Sequence, residues 1–499
     1  MQPARGPAVS ALALTLAAGA VHGANQTTDL SPVNVGTVLP FSAVIQPIDY
    51  SGDTMPGMHS FSKAQYNGQW LLIGGMSNGQ HNLARTGFNA QYRNDAVYVI
   101  DPTTHQVWSR SLVSDPASGL TSDQLSTLMV TNPQFTQLGS HLYIAGGYGA
   151  TTSGTTSTWQ TFNTLSSVDV PGLMNWVKTG TSTAADNIRQ INDSMFRVTG
   201  GEMLTTSNGR THLVFGQDYP QNYVPNVNGV YTNQVRSFTI VDDGTNLAIS
   251  NPVMGPTNAD FRRRDLNVVP IIQTVNGQQV DKIQALAGVF TTSFGVWTVP
   301  VTIDGDGYAT EPDPALASTL KQGMNSYRCA NIGLYSVTQK TMHTLLFGGI
   351  SLEFYDSASG TFKTDSNVPY VHDATDIITD ANGNMTLHQL PNTFPTLVDS
   401  SSGKTLYLGT ETEFFLADCV PTFSNGVIDL DALTGPTLVG YFFGGIASDA
   451  PNFGSSQASN GLFPVIITPQ GVPEPSSLVL AGLGSLLLLR RRDAHKVRV

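Results

Sequence analysis

LLIGG, residues 71–75, is three apolar residues closed by a double glycine. A short apolar run ended by glycine is the pattern of a buried β-strand. Glycine ends it because the backbone there turns tightly or passes close to a neighbour. The pattern returns as LYIAGG (142–147), LVFG (213–216), ALAG (285–288), LLFGG (345–349) and YFFGG (441–445). The first glycines are 72, 70, 72, 60 and 96 residues apart. A recurring pattern at such spacing marks a chain built from repeated units.

The flanks extend the pattern. After the first copy, NDAVYVIDPTTHQVWSRSL (94–112) supplies a strand at 97–100, an Asp101-Pro102 turn and a second strand opened by Val107-Trp108. After the second copy, NTLSSVDVPGLMNWVKTG (163–180) predicts the same plan, with Val168 in a strand, a Pro171-Gly172 turn and Trp176. A double glycine, a Tyr-bearing strand, an Asp-Pro turn and a Trp together resemble the kelch repeat, which folds as a four-stranded blade of a β-propeller. The third and fourth copies lack the tryptophan, and the fourth has one glycine.

The resemblance implies an all-β fold: a six-bladed kelch-like β-propeller over residues 24–470, each glycine run being the second strand from the axis. The kelch period is about 50 residues, so the longer steps imply inserted loops. The sixth blade is expected to take its first strand near 426–433, its second at 438–445 and its third at 462–468. Its fourth comes from the N-terminal segment 38–45, which closes the ring and removes a free edge. Seven blades are the alternative, with KTLYLGTETEFFLA (404–417) as the core of the extra one. A β-sandwich array is the runner-up architecture.

In a four-stranded blade the connection from second to third strand and the passage to the next blade emerge on one face. The long segments 76–93, 148–163, 217–233 and 350–370 all follow a glycine run, so one face should be elaborated and the other plain. Long loops on a rigid scaffold are where binding resides. Within that face, GQDYPQNYVPNVNGVYTNQVR (216–236) carries Asp218, Tyr219, Asn222, Tyr223 and Tyr231. Tyrosine rings pack on sugar C–H faces and amides bond hydroxyls. DFRRRDLN (260–267) places Arg262, Arg263, Arg264 and Asp265 at a passage between blades. These arginines either grip a carboxylate or pair with acids of adjacent blades.

Catalytic signals are weak. Kelch propellers include oxidases with a copper set containing a Tyr-His neighbour pair, and no such pair is present. DGDG (304–307) and DANGN (380–384) space oxygen ligands as calcium loops do, but neither completes an EF-hand, so plain turns are the leading expectation, with calcium the weaker alternative and no cofactor expected. The leading expectation is therefore a non-catalytic module binding polysaccharide or another matrix component. A carbohydrate-active enzyme with an Arg/Tyr/acid site and a structural or protein-interaction module are the alternatives.

Composition narrows the partners. Between residues 24 and 472 there are 18 basic and 34 acidic residues, a net charge of −16. Such a surface repels nucleic acid and anionic lipid. Cys329 and Cys419 are the two cysteines; export would permit a disulfide between them, and two buried thiols are the alternative. Nothing in the sequence speaks to oligomeric state.

The ends read as address labels. Residues 1–23 have one basic residue, Arg5, an apolar run at 8–20 and small residues after it, the layout of a secretory signal peptide. Residues 471–499 contain Pro473-Glu474-Pro475, a twelve-residue apolar run at 478–489, then Arg490, Arg491 and Arg492. Twelve residues fall short of the roughly 20 that cross a bilayer. This order resembles the PEP-CTERM sorting signal of Gram-negative bacteria, although the tail beyond the arginines, 493–499, is longer than usual. The resemblance implies an exosortase-type peptidase as partner. It also implies export through the inner membrane, membrane contact only through this segment, and delivery to the cell surface or extracellular matrix.

Overall fold

A computed structural model describes residues 29–47, 55–81, 87–151, 157–293, 295–399, 401–452 and 454–470. The expected signal peptide and the sorting segment lie outside the described residues. Those described are mostly β, with α-helices at Ser122–Leu128 (α1) and Val170–Thr179 (α2). Among them no helix is long and apolar enough to cross a membrane.

Strand β1 (Phe41–Ile45) completes the last of six four-stranded antiparallel arrays, and a further four-stranded sheet joins Leu397–Val398, Thr405–Thr410, Ile446–Ser448 and Ser456–Ala458. The first sheet is β2 (Ser62–Tyr66), β3 (Gln69–Ile73), β4 (Ala96–Asp101) and β5 (Gln106–Ser111). The second is β6 (Gln134–Leu138), β7 (His141–Ala145), β8 (Thr164–Asp169) and β9 (Ile188–Asn192). The third is β10 (Glu202–Thr205), β11 (Thr211–Val214), β12 (Val235–Asp242) and β13 (Leu247–Met254). The fourth is β14 (Asn267–Val275), β15 (Gln278–Leu286), β16 (Val301–Ile303) and β17 (Ala309–Thr310). The fifth is β18 (Ala330–Ser336), β19 (Thr341–Phe347), β20 (Ala374–Thr379) and β21 (Met385–Gln389). Val33–Asn34 and Ile428–Asp429 add parallel pairings at its two edges. The sixth is β22 (Glu413–Leu416), β23 (Thr437–Phe443) and β24 (Leu462–Pro469), completed by β1.

In every sheet the glycine run lies at the end of the second strand. Gly75 shows why: its φ is +84°, and a Cβ there would meet the His59 carbonyl oxygen at 2.5 Å. Gly146 has φ +64°, and a Cβ would meet the Val198 carbonyl oxygen at 2.1 Å. Only glycine combines that dihedral with that closeness to a neighbouring chain segment.

The core is divided among the sheet interfaces. Leu71, Val97 and Leu142 pack between sheets one and two, and Tyr143, Leu165 and Phe238 between two and three. Val214, Val235 and Ile283 lie between three and four, and Ile271, Tyr335 and Leu346 between four and five. Phe347, Phe442 and Ile467 lie between five and six. The series returns to its start: Trp70 of sheet one stacks on Phe415 of sheet six at 4.1 Å. A fully buried side chain of this size contributes roughly 1.5–3 kcal/mol.

A circuit of hydrogen bonds runs through the same order. It uses the residue two places before the first strand of each of the six sheets. The Asn132 N–H donates to the Ser60 carbonyl (3.1 Å), Gly200 to Asn132 (3.1 Å), Asp265 to Gly200 (2.7 Å), Arg328 to Asp265 (3.1 Å) and Glu411 to Arg328 (3.1 Å). The Ser60 hydroxyl donates to the Glu411 carboxylate at 3.1 Å and completes the circuit.

Several expectations are corrected. The first strand of the sixth sheet is β22, not 426–433. Ile428–Asp429 instead pairs with β18, where Leu334 and Tyr335 lie opposite. The stretch 404–417 is divided between two sheets: its second half is β22, while Thr405–Thr410 belongs to the further four-stranded antiparallel sheet with Leu397–Val398, Ile446–Ser448 and Ser456–Ala458. Pro171-Gly172 opens α2 rather than a turn. Asp169 caps that helix by accepting from the Gly172 N–H, and proline is suited to a first turn whose N–H groups need no intrahelical partner. Helix α2 and the segment 417–436 sit on the face expected to be plain. The Cys329–Cys419 bridge is absent: both thiols are free, Cys329 buried beside Asn267 and Cys419 exposed.

Candidate functional site

The long segments do share one pole. Each opens beside the passage into its own sheet, through pairings His59 with Met76, Thr131 with Tyr148, Thr199 with Gln217, Arg264 with Val289, and Thr410 with Ile446. In the fifth sheet the Ser326 and Tyr327 N–H groups donate to the Ile350 carbonyl. Hairpins then rise from the segments, as at Tyr148–Ala150 with Trp159–Thr161 and at Gln217–Asp218 with Val230–Tyr231.

A cleft lies over the hydrogen-bond circuit at this pole. Its two compartments, of about 70 and 60 Å³, share His81, Phe88, Thr131, Asn132, Arg264 and Asp265. Tyr219 and Tyr223 line the second compartment, and His59, Tyr327 and Glu411 line the first. The aromatic side chains form a connected group: His81 stacks on Phe88 at 4.5 Å, Tyr223 lies 4.8 Å from His81 and 5.5 Å from Phe88. Tyr148 stands behind, 5.1 Å from Phe88 and 5.7 Å from Tyr219.

The residues expected from sequence divide by position. Arg264 and Asp265 face the cleft and are ion-paired with each other; Arg264 Nε also donates to the Tyr231 hydroxyl at 3.1 Å. Tyr231 therefore acts from behind Arg264. Tyr219 is buried, its hydroxyl bonded to the Val224 backbone, and Tyr223 is half-buried at the cleft. Asn222 does not reach the cleft, because its side-chain oxygen accepts the Trp159 N–H at 2.6 Å. Asp218 lies outside it; burial pushes its carboxyl up, against Arg197 and Arg236. Arg262 covers the Tyr231 ring at 3.9 Å and donates to the Phe290 carbonyl. Arg263 is fully enclosed. It donates to the carbonyls of Asp260, Ala287 and Val299 and pairs with Glu311, so it pins the passage between sheets three and four.

Sequence reasoning missed His59, His81, Phe88, Tyr327 and Glu411. Burial pushes Glu411 up to about 8, against the opposing pull of Arg328. Burial holds His59 down to about 4. Register was the available signal: once the innermost strands are aligned, Ser60, Asn132, Gly200, Asp265, Arg328 and Glu411 occupy one position of the repeat. The sequence also holds a Gly-x-Ser-x-Gly at 75–79, around Ser77. A nucleophile elbow needs a strand-to-helix turn. Here the Ser77 hydroxyl donates to the Tyr92 carbonyl at 3.2 Å, and among the described residues the next helical element is the single 3-10 turn Ala90–Tyr92.

Beneath the circuit, a cavity of about 240 Å³ is lined by the starts of the first strands of all six sheets. Arg328 pairs there with Glu202 and Glu413, and its Nε lies 3.7 Å from Glu411. Lys63 pairs with Glu413 at 2.9 Å. Burial pushes Glu202 up to about 7. Despite burial, Lys63 and Arg328 keep Glu413 below its usual range.

Asp304 and Asp380 spend their carboxylates closing turns. Asp304 accepts from the Asp306 and Tyr308 N–H groups, and Asp380 from those of Asn382 and Asn384. Among the described residues no group of three His, Cys, Asp or Glu is placed to hold a metal ion.

Residues 471–492 match the PEP-CTERM protein-sorting motif. The chain carries an exosortase sorting signal. The match spans Pro473, Glu474, Pro475 and Arg490 to Arg492, and no curated protein matches the chain. The motif indicates export, processing by exosortase, which is a membrane peptidase, and sorting to the cell surface or extracellular space.

Proposed function

We propose that the six sheets are blades of a kelch-like β-propeller closed by β1. The exported protein is a non-catalytic module that binds polysaccharide or another matrix component at the cleft. The hydrogen-bond circuit and the interface cores that return from sheet six to sheet one support the propeller. The observation that carries the ligand reading is the group Phe88, Tyr219, Tyr223 and His81 beside the Arg264–Asp265 pair. Rings accept sugar C–H faces while the ion pair and Asn132 meet hydroxyls. The shallow compartments suit a chain lying across the pole. The test is retention on a glycan array. Tyr223→Ala is expected to lose retention with an unchanged urea midpoint, whereas Arg263→Ala is expected to lower the midpoint. Retention of no glycan by the intact protein overturns the ligand reading.

A second reading, a carbohydrate-active enzyme, draws on Glu411. Burial keeps its carboxyl protonated at neutral pH beside Asp265, which is paired with Arg264. Two carboxyl groups in such unlike surroundings are the arrangement of a general acid and its partner. Mass spectrometry of retained glycans distinguishes the readings: altered products favour catalysis.

A further inference from the structure

The sixth sheet joins both ends of the described chain, and its strand directions set how the domain is held. At the start of β24, Leu462 pairs with Phe443. Next to it, the Gly445 N–H donates to the Met58 carbonyl and Met58 N–H to Ser459, beside His59 of the cleft. At its other end Pro469 pairs with Phe41, and the Gln470 N–H donates to the Pro40 carbonyl at 2.7 Å. Eight residues of strand rise roughly 26 Å. The chain therefore leaves the sheet at the pole opposite the cleft, and the sorting motif begins at the next residue, Gly471.

We propose that the C-terminal signal tethers the domain by this far pole, so that the cleft faces outward while the opposite turns abut the attachment surface. The inference rests on strand direction and holds whatever the cleft binds. Only Gly471 and Val472 separate Gln470 from Pro473, so the signal follows the last strand directly in the sequence. The shielded pole includes the segment 417–436, which joins β22 to β23 beside Thr437, the residue paired with Ile467 near the exit. It also includes the Gly68 turn, against which Asp418 lies.

The fold supplies its own probe. Cys419 is exposed on the tethered pole, whereas Val230 is exposed on the cleft-side hairpin. The full-length protein is labelled on intact exporting cells with a bulky, membrane-impermeant maleimide, and again after purification. Cys419 is expected to react several-fold more slowly on cells than in the purified protein. Val230→Cys in a Cys419→Ser background is expected to react equally in both. Inserting a long Gly-Ser linker between Gln470 and Gly471 is expected to restore labelling of Cys419. Equal labelling of Cys419 in both states, shielding of Val230→Cys, shielding that survives the linker, or protein found only free in the medium each overturns the proposal.

Discussion

Arg328→Ala removes the one guanidinium that ties Glu202 of sheet three to Glu413 of sheet six and reaches Glu411 from sheet five. Glu202 and Glu413 then remain in the cavity with Lys63 paired to Glu413, and Glu411 remains in the cleft above without its guanidinium neighbour. Removing one partner of a buried pair costs about 3–5 kcal/mol, because the charge left behind is neither solvated nor matched. The cost should depend on pH. With the cation gone, the carboxyl groups escape burial of charge by taking up protons, which is easy at pH 5 and difficult at pH 8. Urea unfolding of the purified protein at both values is the assay. The midpoint of the variant is expected to fall far below wild type at pH 8 and to recover much of the gap at pH 5. A loss of under about 1 kcal/mol at pH 8, the scale of an exposed pair, would refute the reasoning, as would an equal loss at both values.

Glu411 carries a related expectation. Its carboxyl is raised from 4.5 to about 8, so between these values the folded state holds a proton that the unfolded chain has released. Stability must then fall as pH rises through that window, by up to about 1.4 kcal/mol per unit. Glu411→Gln, which mimics the protonated form, should flatten the fall in urea midpoint between pH 5 and 8. Removal of residues 29–47 deletes β1, which supplies the fourth strand of sheet six and the core residues Phe41, Ala43 and Ile45. The truncated chain should lose its sharp unfolding transition and be cleaved rapidly by protease, and an unchanged transition would show that the sheet does not need its N-terminal strand.

The sequence by itself determined the strand-rich class, the second strand of every sheet and the contribution of the N-terminal segment to the last one. Those features are local: an apolar run ended by glycine states both its burial and the close passage that ends it, as at Gly75 and Gly146. The address was equally local, since Pro-Glu-Pro, an apolar run and three arginines are contiguous. The innermost strands were harder to place. Lys63, Glu202, Arg328 and Glu413 line a cavity where charges are matched across sheets, so no apolar pattern announces them. That is why the apolar pattern points to 426–433 for the first strand of the sixth sheet while the structure has it at β22. Tertiary structure alone decided which arginine does what. Arg262, Arg263 and Arg264 are consecutive, yet one covers a tyrosine ring, one is locked among carbonyls and one faces the cleft. Likewise Glu411, Asp265 and His59 meet only because distant passages converge at one pole, and burial there raises the Glu411 carboxyl and lowers the His59 imidazole.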